Sequence, residues 1–87
     1  MVNKEKGLLF PNPAVSMTTL RMQSENEHVR IQLVDLNGRV VLDVMDKQLD
    51  QDIHLVPIDL SEVGQGNYFV KVAKASGNFS LQLSKLK

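Results

Sequence analysis

The sequence predicts an all-β domain, an immunoglobulin-like antiparallel β-sandwich of about seven strands. Apolar residues recur at every second position in three stretches: Val29, Ile31 and Leu33; Tyr68, Val70 and Val72; Phe79, Leu81 and Leu83. That period belongs to half-buried strands. No stripe of helical period accompanies it. Turn signals divide the 87 residues into segments of the number and spacing expected of such a sandwich.

The expected strands lie near 8–10, 17–22, 28–34, 39–45, 52–58, 67–73 and 78–84. After the first comes Pro11-Asn12-Pro13. Proline has no N–H and restricts the residue before it, so neither proline can serve in a central strand. This segment is expected to run as a stiff edge piece that ends the first strand at Phe10, turns at Asn12 and delivers the chain to Met17. The polar run 23–28 reads as a loop.

Asn37-Gly38 divides the third strand from the fourth and predicts a two-residue type I′ hairpin, with positive φ at both residues. That turn pairs Leu36 with Arg39, Leu33 with Leu42, Ile31 with Val44 and Gln32 with Asp43. A three-residue turn with Gly38 bulged would instead bring Ile31 opposite Asp43, and slippage by one residue turns a strand inside out. The segment Ser61–Gly64 reads as a single turn, too short for a helix. Gly77-Asn78 opens the last strand.

Composition narrows the function classes. Hydrophobic residues make up 43% and charged residues 23%, a balance that supports a folded core. Ten basic and ten acidic side chains cancel, leaving no cationic surplus for nucleic acid. With no cysteine there is neither a disulfide framework nor a thiolate nucleophile. The opening MVNKEKG has no apolar core of a signal peptide, and residues 1–7 read as a linker remnant ahead of a domain over 8–87.

Candidate chemistry is sparse. His28 and His54, the two imidazoles, stand among polar neighbours and read as surface residues. Asp43, Asp46, Asp50 and Asp52 cluster in sequence but do not match the spacing of a calcium loop, so they read as a solvated turn. Asn78-Phe79-Ser80 forms a glycosylation triplet that a turn explains equally well. No nucleophile, base and orienter come together, so the chain is expected to be non-catalytic, with no cofactor and no metal. Phe69, out of phase with Tyr68 and Val70, should face outward. A carbohydrate-binding or adhesive module of a secreted multidomain protein is the alternative reading; it calls for a strip of exposed aromatics, whereas aromatic residues are only 5%.

Four motifs in order then carry a resemblance: Phe10-Pro11-Asn12-Pro13-Ala14; Val34-Asp35-Leu36-Asn37-Gly38-Arg39-Val40; Ile58-Asp59-Leu60-Ser61 with Gly66-Asn67-Tyr68-Phe69-Val70; and the closing Lys85-Leu86-Lys87. Together they resemble the C-terminal sorting domains (type A) of the type IX secretion system of Bacteroidetes. Gln65 stands where such domains often carry Pro or Ala.

The resemblance implies a secretion signal attached to an N-terminal cargo domain. Such a precursor crosses the periplasm, is directed through the outer-membrane translocon and reaches the cell surface or the medium. It also implies a sortase-like peptidase as a partner, which removes the domain and attaches the cargo. By the same resemblance, Lys85, Leu86 and Lys87 are candidates for translocon recognition. Pro11, Asn12, Pro13, Asp35, Asn37, Gly38, Arg39, Gly66 and Tyr68 are scaffold positions. An open edge at the last strand could accept a partner strand, or support a weak homodimer.

Overall fold

A computed structural model describes residues 7–87; most of the expected linker, residues 1–6, lies outside the described residues. The chain forms seven strands: β1 (Leu8–Phe10), β2 (Met17–Ser24), β3 (Glu27–Asp35), β4 (Val40–Leu49), β5 (Asp52–Asp59), β6 (Gly66–Lys74) and β7 (Phe79–Lys85). They pair antiparallel in two sheets, ordered β1-β2-β5 and β4-β3-β6-β7. This is an immunoglobulin-like sandwich in which the fourth strand has joined the sheet of the third, sixth and seventh.

Alternation builds the core. Leu9, Leu20, Met22, Val56 and Ile58 face inward from the three-stranded sheet, and Val29, Ile31, Leu33, Val70, Val72 and Leu83 oppose them from the four-stranded sheet. Full burial of each such side chain contributes about 1.5–3 kcal/mol, so these layers hold the sheets face to face. Leu60 seals the core where the chain leaves β5, its N–H donating to the Ser16 carbonyl at 2.8 Å.

Residues 23–28 are not the expected loop. Gln23 and Ser24 complete β2, Glu27 and His28 begin β3, and only Glu25 and Asn26 connect them, with Asn26 at φ 66°. The run is polar because its buried members have partners. Glu27 accepts hydrogen bonds from the Glu25 N–H at 2.9 Å, the Ser76 N–H at 2.7 Å and the Ser76 hydroxyl at 2.8 Å. Lys74 Nζ donates to the Gln23 carbonyl at 2.6 Å. These bonds clasp the β2–β3 connection to the β6–β7 turn.

The β3–β4 hairpin departs from its expected geometry. Asn37 is not in the positive-φ region, and only Gly38 is, at φ 85°. The Asp35 N–H donates to the Arg39 carbonyl at 2.9 Å, and the Gly38 N–H to the Asp35 carbonyl at 3.0 Å. The loop therefore has three residues with Gly38 in the left-handed bulge position, and Asp35, not Leu36, opposes Arg39. The side chain of Asp35 explains the choice: its Oδ1 accepts from the N–H groups of Asn37 and Arg39, both at 2.9 Å, which caps the turn without a positive φ at Asn37.

The register survives because a second irregularity cancels the first. Val34 pairs with Val40 and Leu33 with Leu42, so Val41 is passed over, and the expected Leu33–Leu42 and Gln32–Asp43 pairs form. A further shift then pairs Ile31 with Met45 rather than Val44. Asp43 stays on the outer face, where its Oδ1 accepts from Gln32 Nε2 at 2.9 Å.

Candidate functional site

The prolines do more than end a strand. β1 pairs with β2 in the three-stranded sheet as far as Phe10. The chain then crosses to the other sheet through Pro11, Asn12 and Pro13, whose two X-Pro bonds are both cis, and Ala14 bridges Lys85 in parallel. The Ala14 N–H donates to the Ser84 carbonyl at 2.9 Å, and the Leu86 N–H to the Ala14 carbonyl at 2.7 Å. Asn12 adds two bonds, its Nδ2 donating to the Gln82 carbonyl at 2.8 Å and its Oδ1 accepting from the Ser84 N–H at 3.1 Å. Beneath this crossing, the buried Thr18 hydroxyl donates to the Pro11 carbonyl at 2.8 Å.

Residues 11–14 thus form a strap along the C-terminal half of the β7 edge. β7 is an edge strand, as the sequence reading requires, but on the side it turns away from β6 the Gln82 carbonyl, the Ser84 N–H and carbonyl and the Leu86 N–H already have partners. The first and last motifs of the chain form one surface.

At the tail, Lys85 faces inward at the sandwich end and is only 4% exposed, its Nζ donating to the Lys87 carbonyl at 2.6 Å. The aliphatic stem is buried while the charge reaches an acceptor at the rim. Leu86 and Lys87 stand exposed. The fold therefore displays two of the three tail residues and anchors the third.

The remaining motif residues act on the backbone. Arg39 reaches Asp35 through Nε at 3.4 Å. The N–H of Arg39, the N–H of Asn37 and the guanidinium together outweigh partial desolvation and hold the Asp35 carboxyl below the usual range. The Tyr68 hydroxyl donates to the Gly64 carbonyl at 2.7 Å, tying the β5–β6 crossover in the manner of the tyrosine corner of immunoglobulin-like sandwiches. Gly66, at φ 152°, lets the chain enter β6 beside that ring.

Elsewhere the titratable groups are dispersed. The Asp46 carboxylate accepts from His28 Nε2, a bond that holds its pKa low. His54 Nε2 donates to the Asp50 carbonyl at 2.9 Å, and Asp52 Oδ1 accepts from the Ile53 N–H at 2.7 Å. Asn78 Oδ1 accepts from the Lys74 N–H at 3.1 Å, the turn role. Among the described residues no three acidic or histidine side chains converge on a common point.

The two outer faces of the sandwich differ. That of the four-stranded sheet is largely polar, although Phe69 pairs with Val34 there and buries it. A shallow depression of about 280 Å³ lies beside them, under the hairpin turn. The outer face of the three-stranded sheet carries Leu8, Phe10, Ile53 and Leu55, all exposed. Phe10 and Phe69 lie on opposite faces and form no common aromatic strip. The sequence reading missed this apolar face, yet a signal was present: Leu8-Leu9-Phe10 and Ile53–Ile58 carry apolar residues at both parities, so each has a hydrophobic outer side as well as an inner one.

The fold and motif geometry define a two-sheet immunoglobulin-like sandwich, and among the described residues no cluster of His, Asp and Glu could hold a metal ion. The chain belongs to the family of secretion system C-terminal sorting domains, whose model matches residues 8–85. These are the sorting domains of type IX secretion, a signal family not known as catalytic. No curated protein matches the chain.

Proposed function

We propose that residues 8–87 are the folded C-terminal address of a larger precursor, with the segment before residue 8 linking it to the cargo. The address directs the precursor from the periplasm through the type IX outer-membrane translocon. A sortase-like peptidase then removes it and fixes the cargo at the cell surface. The supporting observation is the strap: Asn12 and Ala14 hold the backbone of Ser84 and Leu86, so the proline motif and the lysine tail are one structural unit. Leu86 and Lys87 are the displayed part of that unit, and Lys85 is its anchor.

The test fuses residues 8–87 to a reporter bearing a signal peptide, in a bacterium that owns the type IX machinery. Surface reporter is the expected result, and a reporter confined to the periplasm would overturn the reading. Removing residues 85–87 should trap the reporter in the periplasm; export at the undiminished level would take the tail out of the mechanism. The adhesive alternative predicts glycan binding by the isolated domain.

A further inference from the structure

We infer that the outer face of the three-stranded sheet is a docking surface for a protein of the export machinery, one that presents an apolar patch carrying a carboxylate opposite Arg21. The inference rests on the sorting function proposed above and names the face by which that function is exercised. On this face the strands align side chains in rows. Leu8, Arg21 and Leu55 form one row across β1, β2 and β5, and Phe10, Thr19 and Pro57 form the next. Leu8 is 55% exposed, Phe10 42%, Ile53 49% and Leu55 62%. Apolar side chains thus flank the polar row Thr19, Arg21 and Gln23 of β2 on both sides, and exposed apolar surface gathered on one face and mixed with polar groups in this way suits an interaction site.

Arg21 fixes the chemistry of the occupant. It stands between two leucines, and among the described residues no carboxylate lies within ion-pair distance of it. A partner acid would complete a pair inside an apolar contact, the setting in which charge complementarity fixes register and excludes wrong partners. A second copy of this domain is disfavoured by the same residue. A symmetric face-to-face dimer centred on this row brings Arg21 against its own copy, and like charges there repel. An anionic lipid surface is disfavoured too, because polybasic clusters drive that attachment, whereas among the described residues this face has a single cation, with Asp59 at the end of β5.

The blunted sheet edges favour a face as the route of recognition. β1 has three residues and runs into Pro11, β4 is interrupted twice in its register, β5 contains Pro57, and β7 is strapped over its C-terminal half by residues 11–14. Each is a device that blunts strand addition. A partner that recognises the folded domain through side chains finds four of its exposed apolar residues, Leu8, Phe10, Ile53 and Leu55, on this one face.

The experiment uses the reporter fusion, with surface and periplasmic fractions measured for wild type, Arg21→Glu, Arg21→Lys, Leu55→Ser and Lys71→Glu. Lys71→Glu makes the same charge reversal on the opposite face. Melting curves establish that each variant is folded, as expected for exposed positions. With wild type exported, Arg21→Glu and Leu55→Ser should each lower surface reporter by about tenfold, about 1.4 kcal/mol. Arg21→Lys and Lys71→Glu should stay within about twofold of wild type, less than about 0.4 kcal/mol. Equal export of all variants overturns the docking face while leaving the sorting function intact. An equal loss with Lys71→Glu also overturns it, because the defect is then not specific to the face. Failure of the wild-type tag overturns the sorting function instead. Flotation of the purified domain with phosphatidylglycerol vesicles, lost in Arg21→Glu, would assign the face to a membrane and overturn the protein partner.

Discussion

The side chain of Asn12 holds the backbone of Ser84: its Oδ1 accepts the Ser84 N–H at 3.1 Å across 72 positions of sequence, while its Nδ2 donates to the neighbouring Gln82 carbonyl at 2.8 Å. A single primary amide satisfies a donor and an acceptor of the final strand, as an added strand would. Pro11 and Pro13 on either side have no N–H of their own to offer an incoming chain. The C-terminal half of the edge is covered by this side chain together with the short backbone bridge at Ala14.

Replacing Asn12 with Ala should therefore loosen β7 without disturbing the core. Two exposed hydrogen bonds are lost, at a cost of about 1 kcal/mol, which in a domain of this size lowers Tm by about 4–8 °C. Amide exchange reads the effect locally. The Ser84 N–H should exchange faster than in wild type, whereas Leu83, which is fully buried and paired with Tyr68, should remain protected until global unfolding. Unchanged exchange at Ser84 would mean that the strap does not hold the edge in solution.

At Gly38 the cost of a side chain is conformational. The position has φ 85°, and a Cβ built there meets nothing within 4 Å. Gly38→Val should destabilise by about 1–3 kcal/mol, because a β-branched residue is forced into positive φ. Gly38→Asn should cost much less, since Asn tolerates the left-handed region. Equal melting temperatures for the two variants would show that the turn relaxes to another form.

Acid should unfold the domain through a small set of carboxylates. At Glu27, desolvation raises the pKa, but the N–H groups of Glu25 and Ser76, the Ser76 hydroxyl and the Lys74 charge outweigh it, and the net shift is downward. Asp35 and Asp46 are lowered by the Arg39 N–H and by His28 respectively, and Asp59 by the N–H and hydroxyl of Ser61. Each folded pKa lies below its unfolded value. The associated stability is thus complete above the unfolded value and drains away as pH falls through the folded one. Tm should be level above about pH 5 and fall below about pH 4. Glu27→Gln should lower the plateau and flatten the acid limb; a limb of unchanged slope would remove Glu27 from the set.

Strand positions were legible because alternation at Val29-Ile31-Leu33 and Phe79-Leu81-Leu83 survives into buried faces. Where the reading failed, long-range partners had overridden local signals. Glu27 begins a strand because Ser76 satisfies its carboxylate from 49 positions away. Asn37-Gly38 does not form the two-residue turn because the Asp35 carboxylate caps a longer one, with Val41 absorbing the offset. Lys85 was legible as a motif residue but not as a buried one: its inward position follows from the same alternation that buries Leu83. The strap was legible only in part, since prolines announce an edge without saying which strand they cover.

Tyr68 allows the crossover between the sheets to be tested without touching the core. Its hydroxyl donates to the Gly64 carbonyl at 2.7 Å, and its ring lies 3.8 Å from where a Cβ on Gly66 would stand. Tyr68→Phe removes the bond and leaves the ring, so it should cost about 1 kcal/mol. Gly66→Ala adds strain at φ 152°, a position suited to glycine, and should cost at least as much. Because the two act on one corner, their effects should not add, and the coupling should exceed the few tenths of a kcal/mol seen for independent sites. Urea melts of the single and double variants give that coupling. Strict additivity would mean that the hydroxyl and the glycine hold separate pieces of chain, and that the corner is not the unit that sets β6 against β5.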